Sequence, residues 1–151
     1  MADFLPAAAF VFAFAASASD LGLRRIPDPL NLSFFALAFS ASLASGVLPA
    51  FALFSVFSFL LSRWAYGLGA WGGGDVKFFV SLSSFLPALG EGLESVFLLF
   101  VVSAFLCGLA ALSAFSIKLL KNGRVKSLAG PGRVVFAPFL AAAFAIVVFF
   151  K

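Results

Sequence analysis

The chain has 151 residues, of which 64% are hydrophobic and 11% charged, with no histidine, one cysteine and a formal net charge of +4. A soluble domain of this size is roughly half apolar and a quarter charged, so composition and a mean hydropathy of +1.17 point to an integral membrane protein. The missing histidine excludes His-dependent triads and Cys/His metal centres. Cys107, standing alone, excludes an internal disulfide.

A spanning helix needs about 20 residues, within a range of roughly 17 to 25. In chain order the apolar segments predict six: 4–19, 29–46, 49–66, 75–89, 93–115 and 134–150, an all-α bundle in one membrane-embedded domain over residues 1–151. The first segment lacks a basic region ahead of it and ends in "ASASDLGLRR", so it is expected to be a retained helix and not a cleaved signal. Pro29 and Pro49 fit first turns, where a missing N–H costs nothing, and Gly46 and Gly90 fit helix stops. The fourth segment is short for a bilayer core. Either the bilayer thins beside it, or the glycines ahead of it lie below the surface as non-helical backbone buried in protein.

Basic residues set the expected orientation. Arg24, Arg25, Arg63, Lys77, Lys118, Lys121, Arg124, Lys126 and Arg133 all fall on one side of a six-span chain, which the positive-inside rule makes cytoplasmic. Asp3, Glu91, Glu94 and Lys151 fall on the other, so both termini are expected outside the cell membrane. These charges flank apolar segments. They argue for contact with the bilayer and against a nucleic-acid partner.

Asp20 and Asp75 then stand out, at the same face and at the ends of two short segments. Two carboxylates brought within a few ångströms cannot both ionise easily, so one keeps its proton while the other stays charged. Such a pair can hold a water, deprotonate it for attack on a carbonyl and protonate the leaving nitrogen, with no metal or cofactor. Gly72 and Gly74 are expected to give this pair unusual backbone angles and close approach of an extended substrate.

The stretch "GGGDVKFF" resembles the Gly-x-Gly-Asp motif of the type IV prepilin peptidases, and "SDLGLRRIPDPLNLS" resembles their other signature, an Asp followed by Ile-Pro-Asp/Asn-x-Leu. Near the end, "FAPFLAAA" is similar to the Phe-Gly-Pro stretch that opens their last helix, with Ala137 in place of the glycine. The resemblance implies a membrane aspartic endopeptidase that cuts the short basic leader from type IV pilin-like or flagellin-like precursors on the cytoplasmic side, with Asp20 and Asp75 as the catalytic pair. It also implies a compact form, without the cysteine-containing domain of members that methylate the new N-terminus.

Plainer roles compete with these. Asp75 could serve only as the N-cap of the fourth helix, Asp20 as a solvated loop residue, and Asp28 as the cap of the second helix or a contact for the leader. Lys77 either tunes the neighbouring aspartate or snorkels to the interface. The glycines could be a packing surface for close helix approach. A small ion-coupled transporter or channel would place acids nearer mid-membrane. A presenilin-like protease would need a Tyr-Asp pair, which Tyr66 does not provide. An inactive structural subunit is the remaining alternative.

Overall fold

The prolines and glycines punctuate this chain. In the computed structural model, which describes residues 4–23, 26–68, 71–122 and 136–149, every proline inside a helix falls within its first three positions. There the ring disturbs no intrahelical bond. Six α-helices result: α1 Phe4–Leu23, α2 Asp28–Ala44, α3 Leu48–Gly67, α4 Gly73–Phe85, α5 Leu93–Asn122 and α6 Ala137–Phe149, with a 3-10 helix, Leu86–Leu89, continuing α4. Gly46 at φ +70° and Gly90 at φ +80° close α2 and the 3-10 helix in the left-handed conformation that glycine adopts without steric cost.

Boundaries differ from the sequence expectation in three informative places. The first helix does not stop at Ser19 but runs on to Leu23, because nothing in "DLGL" breaks a helix outright. The fifth runs to Asn122, through good helix formers in "IKLLKN". The fourth starts at Gly73, so two of the three glycines are helical. Its 13 residues and the four of the 3-10 helix together reach about 28 Å at 1.5 and 2.0 Å per residue. That compares with about 30 Å for a hydrocarbon core, and Gly73 and Gly74 are not the non-helical backbone that one of the two expectations requires. The basic residues of 123–135, together with Asp3, Arg24, Arg25 and Lys151, lie outside the described residues.

The helices group in two sets. α4 packs chiefly against α2 and α3, while α6 packs chiefly against α1 and α5, and thinner contacts of α1 with α2 and α4 join the sets. Between α3 and α4 a hydroxyl pair, Ser55 and Ser84, shares a hydrogen bond of 2.8 Å, and Ser58 and Ser62 of α3 are buried and donate to carbonyls of their own helix. The other set packs chiefly through apolar side chains, with Ala9, Ala13, Ala16 and Ala143 buried and Phe10 stacked on Phe149 and tilted against Phe144. Phe12, Phe34 and Phe85 form a column of stacked rings that ties α1, α2 and α4 together.

The outer surface carries large apolar side chains, and serines are buried beside the apolar core. Phe14, Leu32, Leu60 and Phe105 face outward, whereas Ser42, Ser58, Ser62, Ser83 and Ser103 are fully buried. Three helices, Phe4–Leu23, Leu48–Gly67 and the Leu93–Ala110 part of α5, are long and apolar enough to cross a membrane.

Candidate active site

Asp20 lies one turn before the end of α1, on the buried face that also carries Ala9, Ala13, Ala16 and Ser17. It is a buried residue of a helix and not a solvated loop residue. Its Oδ2 accepts a hydrogen bond from the backbone N–H of Ala137 at 3.0 Å, across 117 residues of chain. Ala137 is the first residue of α6, where a helix has free N–H groups and the positive end of its dipole, so a carboxylate fits there. Aromatic packing fixes this approach. Phe136, just ahead of α6, lies 4.9 Å from the ring of Trp71, which also contacts Phe79 and Phe100 at 5.1 Å each.

Asp75 is placed by its own turn. Gly72 is the N-cap of α4, and the Oδ2 of Asp75, three residues on, accepts the Gly72 N–H at 2.9 Å. Asp75 is therefore not the N-cap but the acidic half of a capping box. The unusual backbone angles expected of Gly72 and Gly74 are not found. Gly72 has extended backbone angles, φ −86° and ψ 164°, and the positive-φ glycines among the described residues are Gly46 and Gly90. What glycine supplies at 72 is room: a Cβ there would sit 3.2 Å from the Asp75 carboxylate. At Gly74 a Cβ would lie 4.0 Å from the Cβ of buried Ile26, where the two sequence motifs touch.

A second link between those motifs joins Asp28 and Lys77. Asp28 is the first residue of α2, directly after the N-cap Pro27. Its Oδ1 pairs with the Lys77 Nζ at 2.6 Å, with both side chains well exposed. Lys77 thus bridges to Asp28, a partner that neither reading of it anticipated.

All of these groups lie at one end of the bundle, where α1 ends and α2, α4 and α6 begin. Asp20 and Asp75 come near enough there for their charges to interact, and Cys107 of α5 is within electrostatic reach of Asp75. The two carboxylates are connected through the protein as well: Asp75 to Gly72, its neighbour Trp71 to Phe136, then Ala137 to Asp20. Paired acids in this setting can share a proton and orient a water between them. Sequence reasoning did not find Trp71, Phe136 or the Ala137 N–H. The signal for the last was present in Pro138, which marks a helix start and hence a free N–H just before it.

The sequence model of the type IV leader peptidase family matches residues 7–112, more than half of the chain and a region that includes Asp20, Asp28 and Asp75. Comparison with curated proteins found no match, and comparison with solved structures found none either. The family match ends before α6, so the bond from Ala137 to Asp20 joins the matched region to a helix beyond it. On this match, the chain belongs to the type IV leader peptidase family.

Proposed function

We propose that the protein is a membrane-embedded aspartic endopeptidase that removes the short leader from type IV pilin-like or flagellin-like precursors at the cytoplasmic face. The observation that supports this reading is that Asp20 and Asp75, contributed by the two helix sets, stand at the same end of the bundle, each held by a backbone N–H at a helix start. Between them they hold a water. One carboxylate takes its proton as the oxygen attacks the scissile carbonyl, and the other gives a proton to the departing nitrogen, so the pair ends with its protons exchanged and ready to reset. Gly72 and Gly74 keep the Asp75 turn slim, while Asp28 and Lys77 fasten α2 to α4 beside it.

In this reading the six helices span the cell membrane with both termini outside. The outward apolar side chains and inward hydroxyls support it. α5, at 30 residues and about 45 Å, outruns a hydrocarbon core of about 30 Å, so its last turns with Lys118 and Lys121 project into the cytoplasm. A reporter fused after Lys126 should read as cytoplasmic and one at Lys151 as external; a cytoplasmic reading at Lys151 contradicts six spans. The activity itself is tested by co-expression with pilin-like precursors from the same genome. Loss of the leader in the presence of the native chain, and not of Asp75→Asn, is the expected result. A precursor left intact by every combination contradicts it.

A further inference from the structure

Asn31 is 5% exposed, on the inner face of α2, and both the oxygen and the nitrogen of its side-chain amide lack a hydrogen-bond partner. A carboxamide can make about four hydrogen bonds, and leaving a buried donor and acceptor unmet is expensive. Its backbone is not in question: the Asn31 carbonyl accepts from Ser81 Oγ of α4 at 3.3 Å. The side chain lies one turn below Asp28, at the level of Ser81, which is six residues or about 9 Å deeper along α4 than Asp75.

A second observation gives this pair of free groups a use. Attack on a peptide bond needs the substrate unwound near the scissile bond, and an extended segment presents bare N–H and C=O groups. A sheet-based protease answers them with a strand edge. Here every described element is helical, so the backbone polar groups are consumed within the helices except at their ends. Side chains must answer the substrate. Among the buried polar atoms without partners in the described residues, Ser42 and Ser83 each offer a single hydroxyl oxygen, and Asn31 alone offers separate donor and acceptor atoms side by side. That pattern matches the N–H and C=O of a single extended residue.

We infer that the Asn31 amide is a receptor for the backbone of the unwound substrate, pairing with one residue on the deeper side of the cleaved bond. An extended chain advances about 3.3 Å per residue, so 9 Å places the paired residue about three positions from the scissile bond. This rests on the peptidase reading above. Asn31 acts here as a positioning residue: it takes no part in proton transfer and holds the segment on which the aspartates work.

The test uses the full-length protein in membranes and a series of synthetic precursor peptides, each with one backbone amide replaced by an ester, which deletes a single N–H. With the native protein, one ester about three residues from the cleavage point should slow cleavage roughly ten-fold more than its neighbours do, the value of one hydrogen bond to a buried group. Asn31→Leu, which keeps the volume and removes the unmet polar atoms, should accumulate as well as the native chain and cleave the all-amide peptide at least ten-fold more slowly. It should lose the extra sensitivity at that one ester, the non-additivity that marks a direct contact. If Asn31→Leu does not accumulate, Asn31→Ala serves in its place. Undiminished cleavage by the variant, or an ester profile identical in variant and native protein, overturns the assignment while leaving the peptidase reading intact. Failure of the native protein to cleave any precursor overturns the peptidase reading instead.

Discussion

The two helix sets deliver their aspartates by different means. In the set of α2, α3 and α4 the helices follow one another in the chain, a hydroxyl pair bridges α3 and α4, and Asp75 is fixed by an N–H three residues away. In the set of α1, α5 and α6 the helices come from opposite ends of the chain, the interface is alanine and phenylalanine, and Asp20 is fixed by an N–H 117 residues away. A carboxylate placed by its own turn is robust to changes elsewhere and sensitive to a methyl group beside it. A carboxylate placed by a distant helix start depends on whatever docks that helix, here Trp71 against Phe136. The pair is then as well aligned as the junction between the sets allows.

The strongest way to break this contrast is to remove the acid function on each side in turn. Asp20→Asn and Asp75→Asn keep size and hydrogen-bonding capacity, so both variants should insert and accumulate while cleavage falls about 10²–10⁴-fold, measured as the rate of leader loss. Asp28→Asn should keep much of the activity, because Asp28 serves in an exposed ion pair. Near-normal cleavage by Asp20→Asn beside a dead Asp28→Asn would move the catalytic role from Asp20 to Asp28 within "SDLGLRRIPD".

A subtler change isolates the distant tether. Ala137→Pro deletes the N–H that Asp20 accepts, at the first position of α6, where proline is tolerated. Cleavage should fall roughly ten-fold or more, the worth of a buried hydrogen bond to a charged group. Ala137→Gly keeps the N–H and should stay within a few-fold of native. Equal losses in the two variants would show that packing at Ala137 matters and its N–H does not.

The local tether answers to a single carbon. Gly72→Ala brings a methyl to 3.2 Å from the Asp75 carboxylate, so the acid must shift by a few tenths of an ångström and cleavage should drop several-fold. Gly73→Ala meets open space and should be close to native. The smallest effect is expected at the surface: Lys77→Met removes an exposed ion pair worth about 0–1 kcal/mol of stability, and thermal unfolding at high salt should show less difference still.

The same contrast explains what could be read from the sequence. The six apolar segments, the motif around Asp75 and the helix-closing roles of Gly46 and Gly90 rest on residues within a few positions of one another, and local rules reach that far. Even there, helix ends shifted: three glycines did not keep α4 from starting at Gly73, since the Asp75 carboxylate caps that turn. Asp28 and Lys77 both stood out as candidates, but their pairing spans 49 residues and depends on how α2 lies against α4. Pro138 marks a helix start with a free N–H just before it, but that this N–H meets Asp20, 117 residues away, depends on how α6 docks against α1. Asn31 drew no notice for the related reason that its isolation in the bundle interior is a property of packing.

The central claim is that two carboxylates, each held by its own backbone N–H, act as one unit. The cleavage rate of the double variant Asp20→Asn/Asp75→Asn, set against each single variant on the same precursor, measures this directly. Groups that share one water and one proton fail together, so the double variant should be little slower than the slower single one. Losses that multiply, or a single variant that still cleaves at near the native rate, would contradict the account.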